Sequence, residues 1–134
     1  MAKLTEIDIK DIVYSRLKDV GLDRVVSGRI YKEARPMNSQ SEDVEITVLA
    51  SDLSQNQRFT VNVNVFVPDV QRDDEFIENQ PRIRTLSTAF LEALDYHSSK
   101  GFLFTLDSQS VIKVTDAEIH VINNRLEIKY NSEN

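Results

Sequence analysis

The chain of 134 residues has no cysteine and no tryptophan, and only three glycines and three prolines. Without cysteine there are no disulfides, no thiolate nucleophile and no cysteine-ligated zinc, which fits a reducing compartment. Gly21, Gly28 and Gly101 stand far apart, so no glycine-rich loop is available to cradle a phosphate. Basic residues are outnumbered by acidic ones, 16 to 22, for a net charge of −6. That balance argues against a protein whose main task is to grip a phosphate backbone, which needs clustered Lys and Arg. No run of roughly eighteen apolar residues occurs, as a membrane-spanning helix would need. The N-terminus Met-Ala-Lys-Leu-Thr-Glu lacks the apolar centre of a secretory signal, so neither insertion nor export is expected.

What is present suffices for one globular domain. The apolar fraction is 40% and the charged fraction 28%, too apolar for general disorder. The most ordered pattern runs from Gln57 to Pro68. Phe59, Val61, Val63, Val65 and Val67 share one parity and Arg58, Thr60, Asn62 and Asn64 the other, which predicts a half-buried strand closed by Pro68. A one-residue slip would carry five apolar side chains into water, so its register should be firmly set.

The other segments are read around this strand. Thr5 and Asp8 form an approximate capping box, and Ile9, Ile12, Val13, Leu17 and Val20 predict a helix over 6–20, stopped by Gly21. A strand is expected over 25–36, with Gly28 marking a bulge or a close backbone approach. A second is expected over 44–50. With the Gln57–Pro68 strand these would form a three-strand meander. Residues 69–80 read as an acidic polar loop, with Asp73, Asp74 and Glu75 beside the apolar pair Phe76 and Ile77. Pro81 opens a second helix, expected to reach Ser99 across the valine face, with His97 near its C-terminal end. A short strand over 102–106, a turn at 107–110 and another short strand near Ile112 and Val114 precede a terminal hairpin. Its turn is placed at Asn123 and Asn124, which would pair Val121 with Leu126 and Ile119 with Ile128. The fold class is therefore α+β: one domain over 1–134, a mainly antiparallel sheet packed by two helices, with 1–5 and 131–134 expected to be flexible.

Catalytic chemistry finds little support in these residues. His97 and His120 lack a His-Glu-x-x-His spacing or a carboxylate at ligand distance in sequence, so no metal is expected. Ser27-Gly28 lacks the Gly-x-Ser-x-Gly elbow of hydrolases. The carboxylates Asp73, Asp74 and Glu75 have nothing to desolvate them, so no raised pKa for acid catalysis is expected. Aromatic residues are not interleaved with Lys or Arg as on a single-strand nucleic-acid platform. No cofactor and no enzymatic activity are expected, which shifts weight to a binding or structural role.

Three stretches carry a family resemblance: Gly28-Arg-Ile-Tyr-Lys-Glu-Ala-Arg-Pro36, Val61-Asn-Val-Asn-Val-Phe-Val-Pro-Asp69 and Asn124-Arg-Leu-Glu-Ile-Lys-Tyr130. Together with the order helix, strands, helix, terminal strands, the chain resembles the tail-completion or tail-terminator proteins of long-tailed bacteriophages. The likeness spans most of the chain and lies in pattern and order, with no catalytic string. It implies a virion protein assembled in the bacterial cytoplasm, a homo-oligomeric ring, often a hexamer, at the head-proximal end of the tail tube. The implied partners are the tail tube protein and head-to-tail connector proteins, with DNA passing through the ring without specific binding and no membrane. On that reading Asn62 and Asn64 face a neighbour or the lumen, and the loop with Asp73, Asp74, Glu75, Phe76 and Ile77 touches a neighbouring ring. Another neck or connector protein, or a small ligand-binding domain, are the alternatives.

Overall fold

The computed structural model describes residues 3–131. Helix α1 (Glu6–Asp19) starts where Thr5 accepts a hydrogen bond from the Asp8 N–H, while the Asp8 carboxylate accepts one from the Thr5 N–H, the expected capping box. Ile9, Val13 and Leu17 are its buried stripe. A single 3-10 turn over Leu22–Arg24 follows, and then only two residues of strand, β1 (Ile30–Tyr31). Strands β2 (Val44–Asp52) and β3 (Gln57–Pro68) form an antiparallel pair. A small hairpin, β4 (Val70–Arg72) and β5 (Glu75–Ile77), leads into helix α2 (Gln80–Leu94), and β6 (Tyr96–Ser99), β7 (Phe102–Lys113) and β8 (Ile119–Tyr130) complete the chain. The six-strand sheet has the order β1-β2-β3-β8-β7-β6, with β4-β5 a separate two-strand ribbon. The class is α+β and the sheet mainly antiparallel, as the sequence predicts.

The valine strand lies at the centre. Phe59, Val61, Val63, Val65 and Val67 are all at most 1% exposed. They share one core with Ile9, Val13 and Leu17 of α1 and Leu86 and Phe90 of α2. Helix α1 packs beside β2 and α2 over β7 and β8, so both cover the same face. Burying a side chain such as Phe90 is worth about 1.5–3 kcal/mol, and this face holds most of the large ones.

Several expectations are corrected. The strand over 25–36 shrinks to Ile30–Tyr31 and pairs with β2 in parallel, so there is no meander. The reason is charge burial. The segment before β2 wraps around two buried carboxylates, Glu42 and Asp43, and spends its backbone groups on them instead of on a ladder. Gly28 is indeed a close approach: a Cβ there would lie 2.1 Å from Asp43 Oδ1 and 2.7 Å from the Glu42 carbonyl oxygen. The acidic loop is the β4–β5 hairpin. Helix α2 ends at Leu94, and His97 sits on β6. There Lys100 and Gly101, both at positive φ, form a two-residue turn into β7, so Gly101 makes a hairpin where it was expected to stop a helix. The two short strands over 102–114 are one, β7, broken only by a bulge between Leu106 and Ser108. A second bulge lies between Val48 and Ala50 on β2.

The largest correction is the terminal hairpin. Asn123 and Asn124 form no turn; β8 runs straight through them, opposite Asn64 and Val63 on β3 and Ser110 and Gln109 on β7. Asn124 is fully buried, donating from Nδ2 to the Val63 carbonyl at 3.2 Å and accepting from Gln109 Nε2 at 2.7 Å. Gln109 Nε2 also donates to the Ser87 carbonyl at 3.0 Å, which ties α2 to the sheet. Of the ends expected to be flexible, Leu4 is hydrogen-bonded in both directions to Gln57 and the Asn131 N–H to the Gly101 carbonyl; residues 1–2 and 132–134 lie outside the described residues.

Candidate functional site

Two features stand outside the core: the sheet face turned away from the helices, and the hairpin beyond Pro68. Register sets the open face. Asn62 and Asn64 of β3 sit on it with Arg58, Thr60 and Phe66, beside Asn123, Arg125, Glu127 and Lys129 of β8. The amides are only partly in solvent. Asn64 Oδ1 accepts from Asn123 Nδ2 at 2.7 Å, and Thr60 Oγ1 donates to Glu127 at 2.8 Å. Asn62 Oδ1 is buried and has no hydrogen-bond partner. A buried acceptor left unpaired costs roughly 1–3 kcal/mol, a local cost that the rest of the sheet offsets.

The hairpin holds the other expected residues. Asp73 takes a left-handed conformation at its tip (φ 54°), and Arg72 is ion-paired with Glu75. Val70 and Phe76 are 40% and 45% exposed, on opposite faces of the ribbon, since Val70 pairs with Ile77 and Gln71 with Phe76. Asp73, Asp74, Glu75 and Phe76 are therefore together and exposed, Ile77 is half-buried, and Asn62 and Asn64 lie apart from them, further back along β3.

A histidine holds the hairpin's base. His120 Nδ1 lies 2.7 Å from Asp69 Oδ1, just before β4, and its Nε2 lies 3.8 Å from Glu78, just after β5. Lys113 Nζ approaches Asp69 at 3.4 Å, and the Asp69 side chain is only 1% exposed. Sequence spacing could not reveal this, because Asp69 and His120 are 51 residues apart. The same holds for two ion pairs near the top of the sheet. Arg35 Nε lies 3.0 Å from Asp43, with its guanidinium 4.5 Å from the Phe66 ring centre. Arg82 grips Glu42 through Nε and Nη2 at 2.6 and 2.8 Å. Burial pushes the Glu42 carboxyl up, but hydrogen bonds from Arg82 and the Ser27 N–H outweigh it and leave its pKa below the usual range. Arg82 is raised in turn, chiefly by its hydrogen bond to Glu42. These groups hold 25–43 onto α2 and the sheet, which is a positioning role.

An open groove of about 380 Å³ runs between α1 and the β6–β7 hairpin, lined by Asp11, Arg16, His97, Lys100 and Phe102 among others. His97 packs on Phe104 with ring centres 5.8 Å apart, and among the described residues no hydrogen bond joins it to a serine or carboxylate. Among the described residues no three His, Cys, Asp or Glu side chains gather as a metal site, and no helix is long and apolar enough to cross a membrane. No protein-family model matches the chain, and no curated protein does.

Proposed function

We propose that this chain is a structural subunit of virus assembly, of the kind that forms a ring at the head-proximal end of a bacteriophage tail tube, ends tube growth and joins tail to head. The reading starts from the resemblance carried by Gly28–Pro36, Val61–Asp69 and Asn124–Tyr130. The observation that carries it is the division of the sheet: one face closed by both helices, the other without a helix and partly in solvent, with a hairpin projecting past its end that holds Phe76 and Val70 in solvent. A sheet with one solvated face is common, but exposed large apolar groups on a projecting ribbon form a surface that neighbours would complete. In a ring each copy supplies the missing partner for the next. The net charge of −6 suits a passage through which DNA slides without adhering.

Two measurements test this. Sedimentation of the chain, alone and with tail tube protein, should reveal a closed assembly of fixed size. Particles made without the chain should show free finished heads and overlong tails by electron microscopy; unstable heads would point to a connector component instead. A strict monomer in both mixtures, together with tails of normal length in its absence, would refute the proposal.

A further inference from the structure

We infer that the hairpin of one copy seats on the far end of the open sheet face of a second copy, around Arg58 and Lys129. The inference rests on the ring reading and adds to it the contact that builds the ring.

The receiving end is defined by register. Arg58 of β3 lies directly opposite Lys129 of β8, both exposed on the open face, with exposed Arg125 nearby opposite Asn62. Among the described residues none of the three is in an ion pair. Like charges placed opposite one another across a ladder are destabilising; Asp52 of β2, which lies opposite Arg58 on its other side and accepts from the Ser54 N–H at 3.0 Å, offsets part of that repulsion, and Glu127 accepts from Thr60. Beside them Leu49, at the β2 bulge, and Leu53, in the turn before β3, are 50% and 55% exposed. With Arg58, Arg125 and Lys129 set against Asp52 and Glu127, this end keeps an excess of positive charge flanked by apolar surface, on a chain that is acidic overall.

The hairpin has the complementary character: Asp73 and Asp74, neither in an ion pair among the described residues, beside Phe76 and Val70. It springs from the opposite end of β3. Twelve strand residues separate the two patches by roughly 35–40 Å, so a chain cannot satisfy its own pair. A second copy can. Oppositely charged patches at the two ends of one subunit favour a head-to-tail contact, which closes into a ring when the rotation per copy permits. Three cations on a surface of net negative charge make a poor grip for nucleic acid by comparison.

The test exploits the absence of native cysteine. Gln71→Cys labels the hairpin, Leu53→Cys the receiving end and Thr88→Cys an exposed control on α2; all three keep every charge. Variants are mixed in pairs, treated with a short bismaleimide, and checked for unchanged thermal unfolding. The Gln71→Cys with Leu53→Cys mixture should cross-link several-fold more than Gln71→Cys with Thr88→Cys. Adding Asp73→Lys and Asp74→Lys to the hairpin chain should cut the yield about tenfold, as like-charge juxtaposition at an interface does, and Arg58→Glu with Lys129→Glu on the partner should restore it. A yield no higher than the control, or one indifferent to charge reversal, overturns the inference, even where sedimentation still finds a ring. Arg58→Glu and Lys129→Glu abolishing binding of a DNA oligonucleotide, with cross-linking at the control level, overturns it also. Charge-dependent cross-linking that stops at a closed pair supports the contact and refutes the ring.

Discussion

Asn124 offers the sharpest test of the fold, because the sequence pattern and the structure give it opposite roles. At the centre of a hairpin turn it would be exposed, its replacement by alanine would cost only the strain of a positive φ, about 1 kcal/mol, and glycine would be at least as good. In the structure it is fully buried in β8 and makes two hydrogen bonds, to Val63 and Gln109. Asn124→Ala removes both, at about 1 kcal/mol each. Gln109 Nε2 keeps only its bond to Ser87, and the stranded N–H and the lost volume add roughly 1–2 kcal/mol. The expected loss is therefore about 2–4 kcal/mol, measured as a fall in urea midpoint at unchanged m value. Asn124→Gly should cost more, since glycine weakens a strand interior. Gln109→Ala alone should cost about 1–3 kcal/mol, because it leaves the buried Asn124 Oδ1 without a donor, and the double variant should fall short of additivity by roughly 0.5–1 kcal/mol. An Asn124→Gly chain as stable as the original would refute the placement of this strand.

Other perturbations follow from the same geometry. Gly28→Ala should destabilise by about 1–3 kcal/mol, because the new methyl meets a locked Asp43 carboxylate and the Glu42 backbone; equal thermal stability of the two proteins would contradict this. Glu42 is held below its ordinary pKa, so its contribution is fully present above the unfolded-state value and is lost as pH falls through the folded one. Glu42→Gln should therefore lower stability at pH 7 and flatten the acid limb of a stability-versus-pH curve, with the two curves converging at the lowest pH; curves that stay parallel would refute it. Lys100→Asn should raise stability by about 0.5–1 kcal/mol, because asparagine tolerates the left-handed conformation that Lys100 adopts before Gly101, and thermal unfolding will read the shift.

What the sequence made legible was local. The Thr5–Asp8 cap, the stripe of α1 and the Gln57–Pro68 strand with its register face all depend on neighbours within a few residues, while Gly28 signalled a close approach by its residue type alone, without naming Glu42 and Asp43 as what approaches it. What it hid were pairings between distant groups. Asn123 and Asn124 carry a turn signature that a buried amide network overrides, and Asp107 to Ser110, which looks like a turn, is continuous strand with a bulge at Asp107. The segment before β2 is patterned like a strand, but two buried carboxylates claim its backbone. At the candidate site, Asp73 to Ile77 were recognisable as an exposed acidic element with apolar members, whereas its ribbon structure and its anchoring by His120 came only with the three-dimensional arrangement.

The two bulges lie close to where the sheet's flanking strands run out. β1 pairs only with Val44 and Glu45 of β2, and β6 only with Phe102 to Thr105 of β7, where the Leu106 N–H still bonds the Asp95 carbonyl; beyond these points each long strand has no strand beside it on that side among the described residues. Irregularities at Leu49 and Asp107 fall beside those margins, where extra local twist spoils the flat row of donors and acceptors that another strand would need. A chain with two such interrupted borders resists ribbon growth from copy to copy. Crowding it at high concentration should therefore yield discrete complexes and no fibrils.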